Sequence, residues 1–376
     1  MPFDTLTTPA LLLDKDVFEE NCRVMQERAQ EAGVKLRPHM KTAKALEAYH
    51  CATKDGFAGI TVSTLAEADF FANGGVTDIL YAVGIVPSKL SQAQRVQDKG
   101  VKLTLITDNP DAISLLDHEA KRLGTTFPVL IEVDSGGRRG GVLAGSQELL
   151  SLAEAITRSQ CLSLEGAMTH AGHSYHVSTP EEIAEIAEQE REAVVSASAR
   201  LLKAGFSCSV VSAGSTPTAV FAKSFEGLTE IRPGVYMFGD VDQMFIGACK
   251  QNEIAAMVLA SVIGHNKTAK RLLIDAGGLA LSKDVSASEF SSHTGYGLVC
   301  GLDGEVIEEL YVESVHQEHG LIASIFGDLP YEKFPVGSRL RILPIHTCMT
   351  CAGFSHYDVH SAEGELLGKW ERVNRW

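Results

Sequence analysis

One complete strand–helix–strand unit occupies residues 128–170, which read PVLIEVDSGGRRGGVLAGSQELLSLAEAITRSQCLSLEGAMTH. Its two short apolar runs, residues 128–134 and 164–170, are typical of buried strands. Residues 147–158 between them repeat apolar side chains every three or four positions, which predicts an amphipathic helix. Strands that alternate with helices in this way are characteristic of folds built on a parallel sheet.

The same alternation extends outward from this unit, from residue 34 to about residue 240. It predicts eight strands, at residues 34–36, 59–63, 78–83, 102–107, 128–134, 164–170, 208–213 and 230–237. Eight strands separated by helices predict a (β/α)8 TIM-like barrel. A doubly wound open sheet is the alternative, because periodicity does not show whether a sheet closes. A further apolar run at residues 11–13 leaves one strand outside the barrel, and this first run is the easiest to assign elsewhere.

The pattern changes after about residue 245. Strand-like runs now follow one another with turns and few helices between them, at residues 253–264, 271–275, 305–315, 320–326 and 339–343. This predicts a C-terminal antiparallel β domain. We therefore expect two closely packed domains, a barrel at residues 1–245 and a β domain at residues 246–376.

Composition excludes several classes of protein. The 376 residues include 33 Lys and Arg against 48 Asp and Glu, so the net charge is −15. Because no basic tract of five or more residues is present, we expect neither a nucleic-acid partner nor binding to anionic membranes. The apolar runs are too short for a membrane span and no basic region precedes the first of them, which predicts a cytoplasmic protein. Eight scattered cysteines favour reduced thiols.

Residues 37–44, RPHMKTAK, follow a short predicted strand and contain candidate nucleophiles. In a barrel the loops after the strands form the active-site face, so a lysine here is well placed for function. A neighbouring cation lowers the pKa of a lysine and makes it a nucleophile towards carbonyl groups, and Arg37 and His39 could supply that cation. A solvated basic turn is the alternative interpretation.

Three further segments lie at the ends of predicted strands and suit an anionic ligand. SAGSTPT, residues 212–218, enters a turn that opens a helix, where N–H groups, hydroxyls and the helix dipole favour a phosphate. IRPGVY, residues 231–236, combines Gly234, which allows a ligand close to the backbone, with the hydroxyl of Tyr236. The glycine-rich loop at residues 134–141 carries Arg138 and Arg139, which could bind an anion or a phenolate. The alternatives are an ordinary helix start and a flexible surface loop.

The segment PIHTCMTC, residues 344–351, contains candidate metal ligands. If it continues a strand, His346 and Cys348 face the same way and could converge on one metal ion. Imidazole together with thiolate favours zinc over magnesium or calcium. The Cys348-x-x-Cys351 spacing also admits a redox pair, and a buried structural histidine beside an inert cysteine is a third interpretation.

Taken in order, these segments resemble the fold type III pyridoxal-phosphate enzymes, whose prototype is alanine racemase. Within that group they resemble the branch that contains D-threonine aldolase and D-serine dehydratase. The matching segments span nearly the whole chain, at residues 8–10, 37–42, 60–64, 169–172, 214–218, 275–277, 317–320 and 344–348. The resemblance implies pyridoxal 5'-phosphate as cofactor, a divalent metal that is zinc or alternatively manganese, and a homodimer.

The resemblance also implies roles for individual residues. Lys41 would be the lysine covalently bound to the cofactor, whereas Lys44 does not match the family position. Arg139 would contact the phenolic oxygen of the cofactor, and the role of Arg232 is left open. The cofactor ring would lie against His170 and Tyr175. The cofactor phosphate would be surrounded by Gly214, Ser215, Thr216, Gly234 and Tyr236. The metal would be held by His346 and Cys348.

The function implied by the resemblance is that of a lyase. It would dehydrate and deaminate a D-3-hydroxy amino acid (D-serine, D-threonine or D-threo-3-hydroxyaspartate) to a 2-oxo acid and ammonia. The His-x-Cys pair favours this outcome, since some related aldolases carry His-x-Asp. Aldolase-type cleavage to glycine and an aldehyde is the first alternative. An amino-acid racemase and a non-catalytic pyridoxal-phosphate-binding protein are the others.

Overall fold

The computed structural model describes residues 3–53, 58–137, 139–374 and 376. The chain divides into two compact units. The barrel unit comprises Val24–Gly234 and Val373–Trp376, and the β unit comprises Met1–Arg23 and Val235–Arg372. The β unit thus includes an N-terminal segment and residues 235–245, both of which the sequence placed with the barrel.

Eight parallel strands form the wall of the barrel unit. The strands of this unit are β2 (Lys35–Leu36), β3 (Ile60–Val62), β4 (Asp78–Gly84), β5 (Lys102–Thr107), β6 (Phe127–Asp134), β7 (Val142–Leu143), β8 (Leu162–Met168), β9 (Val210–Ala213) and β10 (Glu230–Ile231). Their order is β2-β10-β9-β8-β6-β5-β4-β3, and the short β7 pairs with β6 outside this path. A parallel bridge between His39 and Thr61 joins the two ends of the path, so the sheet closes into the predicted barrel.

Helices connect the barrel strands, as the sequence predicted. The α-helices in the described part of the chain are α1 (Lys15–Glu31), α2 (Leu46–Ala52), α3 (Leu65–Asn73), α4 (Leu90–Gln97), α5 (Pro110–Leu123), α6 (Gln147–Arg158), α7 (Pro180–Lys203), α8 (Thr216–Phe221), α9 (Val241–Phe245), α10 (Gly278–Leu281) and α11 (Thr347–Cys351). The longest, α7, begins with a reciprocal capping box between Thr179 and Glu182 and a proline in its first turn. Such caps satisfy N–H groups that the helix itself leaves without partners.

The β unit is built on a nine-stranded sheet. Its strands are β1 (Ala10–Asp14), β11 (Ala256–Asn266), β12 (Arg271–Ile274), β13 (Leu298–Cys300), β14 (Val306–Val315), β15 (Gly320–Ser324), β16 (Arg339–Leu343), β17 (His356–His360) and β18 (Leu366–Glu371). Strands β12, β15, β14, β13, β16 and β11 form a closed antiparallel ring, because β12 also pairs with β11. Strand β1 pairs antiparallel with β11 and parallel with β17, so the first apolar run lies outside the eight-stranded barrel, as expected.

Two sequence expectations differ from the structure. The strand predicted at residues 230–237 ends at Ile231, since Pro233 has no N–H to donate and Val235–Met237 forms a 3-10 helix. Strands β7, β13, β17 and β18 were not predicted. Among the described residues, no helix has the length and apolar character needed to cross a membrane.

Candidate active site

The candidate residues of the barrel unit all follow strands, on the face where barrels carry their active sites. Lys41 lies in the turn after β2 and the His39 bridge, Arg139 in the loop after β6, and His170 just beyond β8. Gly214, Ser215 and Thr216 follow β9, and Gly234 follows β10. Loops from five strands therefore bring these residues to one end of the barrel. Arg138 lies outside the described residues.

Two histidines beside Lys41 are held in the neutral form. Burial lowers the pKa of His170 to about 3, and the positive charges of Lys41, Arg232 and Arg139 act in the same direction. Burial and the same three cations lower the pKa of His39 well below its usual value. Three cationic side chains thus converge near two neutral rings. Such a site suits an anionic ligand.

The cations near Lys41 are not those that the sequence suggested. Arg37 lies instead against the first residues of two strands: its Nη1 is 2.9 Å from Asp78 Oδ1 and its Nε is 2.8 Å from Glu230 Oε2. Both carboxylates belong to the amino ends of β4 and β10, whereas Lys41 follows the carboxyl end of β2. His39 is neutral because it is buried. The expectation that Arg37 or His39 supplies the charge is therefore wrong, and Arg139 and Arg232 take that position.

Lys44 is engaged in an ion pair. Its Nζ lies 3.1 Å from Oε1 of Glu67, whose side chain is fully buried. Glu67 also accepts a hydrogen bond from the Ser63 N–H, at 3.0 Å. Lys44 therefore compensates a buried carboxylate, which sets it apart from Lys41.

The turn after β9 has the construction of an anion cradle. Gly214 has φ +111, a conformation that side chains rarely adopt. The Ser215 N–H donates to Thr218 Oγ1 at 2.8 Å, and the Thr218 N–H donates to Ser215 Oγ at 3.2 Å. Ser215, Thr216 and Thr218 are all buried. This reciprocal box fixes the start of α8 and orients the backbone of Gly214–Ser215–Thr216.

Two buried charged residues support this turn. Glu190 was not selected from the sequence, and the role of Arg232 was left open. Glu190 on α7 accepts a hydrogen bond from the Ala171 N–H at 2.7 Å, and the hydroxyl of Thr218 and the N–H of Gly214 also donate to it. Arg232 donates to Ser212 Oγ at 2.5 Å and to the carbonyl oxygen of Thr169. The only sequence signal for Glu190 was an acidic residue on the apolar face of a predicted helix.

Gly234 lies too close to the backbone of the first loop for any side chain. A Cβ at this position would be 2.9 Å from the carbonyl oxygen of His39 and 3.1 Å from its Cβ. A residue larger than glycine would therefore displace the loop that carries Lys41.

A cavity of about 320 Å³ opens beside these residues in the barrel unit. Its lining includes Arg139, His170, His173, His176 and Glu132. Burial, followed by the nearby charge of Asp108, raises the pKa of Glu132. Tyr175 ends the 3-10 helix Gly172–Tyr175 that carries His173, and it is not part of this lining.

The β unit carries the remaining candidates. Tyr236 is buried on the 3-10 helix Val235–Met237, and burial raises the pKa of its phenol well above the usual value. His346 precedes α11 and Cys348 lies in its first turn, so the two are not on a strand and the alternation argument for them is wrong. They nevertheless converge, because the side chains of His346 and Cys348 are hydrogen-bonded to each other. The first turn of α11, just after β16, therefore brings the two side chains together, as the strand pattern predicted for a different reason.

His346 is held from its other side by a carboxylate. Its Nδ1 lies 2.8 Å from Oδ2 of Asp284, a residue that no sequence motif indicated. Burial lowers the pKa of His346, but Cys348, Asp284 and Asp240 together raise it to about 11. The hydrogen bond from His346 holds the pKa of Asp284 well below its usual range, against the effect of burial. Among the described residues, no group of three or more His, Cys, Asp and Glu side chains is arranged to hold a metal ion.

Several dehydratases and aldolases are similar in sequence to this chain over nearly its whole length. It is 41% identical to the D-threo-3-hydroxyaspartate dehydratase of Delftia sp. strain HT23, over 99% of this chain and 98% of that protein. It is 31% identical to the D-serine dehydratase of Dictyostelium discoideum, over 99% and 98%. It is 29% identical to a D-threonine aldolase of an Arthrobacter species, over 98% and 93%.

Solved structures extend the same comparison. The Delftia dehydratase superposes with a TM-score of 0.96 at 41% identity, and each chain is covered completely. A cysteine-to-alanine variant of a D-threo-3-hydroxyaspartate dehydratase, solved in the metal-free form, also gives a TM-score of 0.96, at 40% identity and with complete coverage of both chains. The serine dehydratase domain matches residues 255–360. The alanine racemase N-terminal domain matches residues 13–242, more than half of the chain, and the protein therefore belongs to the alanine racemase N-terminal domain family.

Proposed function

We propose that this protein is a pyridoxal-phosphate- and metal-dependent lyase that converts a D-3-hydroxy amino acid to a 2-oxo acid and ammonia. The observation that carries the proposal is the convergence of Lys41, Arg139 and Arg232 on two neutral histidines beyond the barrel strands. The relatives named as dehydratases of D-threo-3-hydroxyaspartate and D-serine support the choice of substrate class.

The barrel unit fits the cofactor. Pyridoxal phosphate carries a phosphate, a phenolic oxygen and an aldehyde, and this unit offers a buried turn, two arginines and a lysine at one end of the barrel. The backbone of Gly214–Ser215–Thr216 would hold the phosphate at the start of α8. Gly234, beside the loop of Lys41, leaves the close approach that a bound group requires. Arg139 would face the phenolic oxygen, and His170 and Tyr175 would lie against the ring.

The residues of this unit would handle the protons. Pyridoxal phosphate acts as an electron sink for charge that develops at the α-carbon. Lys41 would hold the cofactor covalently through its Nζ, and the same nitrogen would accept the α-proton of the substrate. Neutral His39 and His170 would add no further positive charge beside Nζ.

The pair in the β unit fits a divalent metal. Asp284 occupies Nδ1 of His346, which leaves Nε2 as the ring nitrogen available for a metal, next to Cys348. Imidazole and thiolate favour zinc, and manganese is the alternative. Both side chains are partly exposed, which leaves room for water or substrate oxygen as further ligands. A bound metal would act as a Lewis acid on the substrate β-hydroxyl. The cysteine-to-alanine variant of a D-threo-3-hydroxyaspartate dehydratase, whose structure is that of the metal-free form, supports the involvement of a metal.

Aldolase-type cleavage is the second candidate. The Arthrobacter D-threonine aldolase is also related along nearly the full chain, so the same residues could serve cleavage of the bond between the α- and β-carbons. Cys348 favours dehydration, because some related aldolases have aspartate at this position. The homodimer and the cytoplasmic location stay predictions.

Product analysis tests the proposal. We expect the purified protein, loaded with pyridoxal phosphate and zinc, to release 2-oxo acid and ammonia from D-serine, D-threonine or D-threo-3-hydroxyaspartate. His346→Ala should lose this elimination and keep the visible absorbance of the bound cofactor. Glycine and an aldehyde as products would instead establish the aldolase. Inversion of the α-carbon alone, or cofactor binding without turnover of any of the three, would contradict a lyase.

A further inference from the structure

A carboxylate that is not one of the two proposed metal ligands is fixed against them. Asp284 lies between α10 and the 3-10 helix Ser286–Glu289, and its Oδ2 is 2.8 Å from Nδ1 of His346. The side chains of Asp284 and His346 are 25% and 35% exposed. The contact is therefore open to solvent on one side, unlike a core ion pair.

Three hydrogen bonds hold Asp284 in this orientation. Its Oδ1 accepts from the Ser286 N–H at 3.0 Å and lies 2.7 Å from Ser286 Oγ, whose single hydroxyl hydrogen is shared with Asp242 Oδ2 at 2.5 Å. Its own N–H donates to Ser282 Oγ at 3.1 Å. One carboxylate oxygen is thus fully used by Ser286, and the other is left for the imidazole ring. Such an arrangement sets the direction of Oδ2 before any metal binds.

The bond to Asp284 determines which ring nitrogen carries the proton. A carboxylate accepts, so Nδ1 of His346 donates to it and keeps its hydrogen. Nε2 is then the nitrogen with a free electron pair when the ring is neutral, on the side of the ring opposite Nδ1. Metal-binding histidines are commonly oriented by a carboxylate in this way, and loss of the carboxylate costs 10- to 100-fold in metal affinity.

We infer that Asp284 is a positioning residue that fixes the tautomer and orientation of His346 and so raises the affinity of the His346–Cys348 pair for a divalent metal. This inference rests on the proposed function, which assigns the metal to that pair. Denaturant unfolding of each variant is measured separately from zinc binding, because loss of the contact also removes an interaction that stabilises both charged groups.

Zinc affinity of the cofactor-loaded protein tests the inference, measured by competition with a chromophoric chelator. We expect Asp284→Ala to bind zinc about 10- to 100-fold more weakly than the wild type. Asp284→Asn keeps an acceptor oxygen of the same reach without the charge, and we expect a smaller loss. The visible spectrum of the cobalt-loaded protein should change in Asp284→Ala, because cobalt absorption reports the ligand geometry. The visible absorbance of the bound cofactor should not change.

Two control variants separate the possible failures. Asp328→Asn removes one negative charge from an exposed ion pair with Lys270 in the same unit and should keep the wild-type zinc affinity. His346→Ala should lose zinc more completely than either Asp284 variant. Wild-type zinc affinity and cobalt spectrum in Asp284→Ala, with zinc lost in His346→Ala, would overturn the inference and leave the proposed metal pair intact. Wild-type affinity in His346→Ala would overturn both.

Discussion

At the scale of single residues, two lysines three positions apart have opposite surroundings. Lys44 is paired with the buried Glu67, whereas Lys41 faces two neutral histidines. We expect Lys41→Ala to lose the visible absorbance of bound pyridoxal phosphate, with little change in the stability of the cofactor-free protein. Lys44→Ala should keep that absorbance and lower the free energy of unfolding by about 2–3 kcal/mol, because Glu67 is left buried without its cation. Absorbance spectra and denaturant unfolding of the two variants measure both effects. Absorbance that is kept in Lys41→Ala and lost in Lys44→Ala would instead place the covalent link at Lys44.

The residues that sequence reasoning missed have a common physical reason. Asp284 and Glu190 act through contacts with residues 62 and 19 positions away, to His346 and to the Ala171 N–H. No local pattern encodes such contacts. Arg37 illustrates the converse, since its place beside Lys41 in the sequence suggested a role there, while its side chain turns to carboxylates at the opposite ends of the strands. Motifs predicted which loops follow the barrel strands more reliably than which side chains in those loops contact each other.

At the scale of elements, the same capping motif occurs in two environments. Thr218 and Ser215 form a buried box at the start of α8, and Thr179 and Glu182 form an exposed one at the start of α7. We expect Thr218→Val to lower the free energy of unfolding by about 2 kcal/mol, because the Ser215 N–H loses its acceptor in a buried site. It should also weaken the binding of pyridoxal phosphate. Thr179→Val is the matched control and should cost about 1 kcal/mol or less, since water replaces the lost bond. Equal losses in denaturant unfolding would contradict the argument.

Helices and strands with a clear hydrophobic periodicity were predictable from the sequence. Strands that depend on pairing with other strands were not. The helix at residues 147–158 was predicted at its observed bounds, because four buried apolar residues mark one face of it. The short β10 was predicted too long, since Pro233 interrupts an apolar run that continues to Met237. Strands β17 and β18 pair with each other, and their mixed polar sequences carry little alternation.

At the scale of the whole molecule, closure of the barrel was the step that periodicity could not supply. It depends on the bridge between His39 and Thr61, in which the Met40 N–H donates to the Thr61 carbonyl at 2.8 Å. That bridge joins residues 22 positions apart, His39 in the segment after β2 and Thr61 in β3. The position of β1 was likewise set by pairing with β11 and β17, some 250 to 350 residues later in the chain. Such long-range pairings are properties of the folded molecule.

His170 should make the folded protein less stable as the pH drops below the ordinary pKa of histidine. The folded protein holds the pKa of His170 at about 3, below the value of about 6.5 expected for an unfolded chain. The unfolded state therefore binds more protons between these values, and stability that is complete above pH 6.5 is lost as the pH falls towards 3. For this single histidine the loss between pH 7 and pH 5 is about 2 kcal/mol. Burial raises the pKa of Asp240 to about 7 and of Asp242 to about 6, so these acids oppose the trend.

Comparison with a variant isolates the histidine from the opposing acids. We expect cofactor-free His170→Gln to lose about 2 kcal/mol less stability than the wild type between pH 7 and pH 5, measured by denaturant unfolding at each pH. The variant removes one group that is neutral when folded and positively charged when unfolded at pH 5. His118→Gln, at an exposed position of α5, is the matched control and should keep the wild-type pH dependence. If His170→Gln follows the wild type as closely as this control does, His170 is not held neutral by the fold. The proposed convergence of Lys41, Arg139 and Arg232 on a neutral His170 ring would then be wrong.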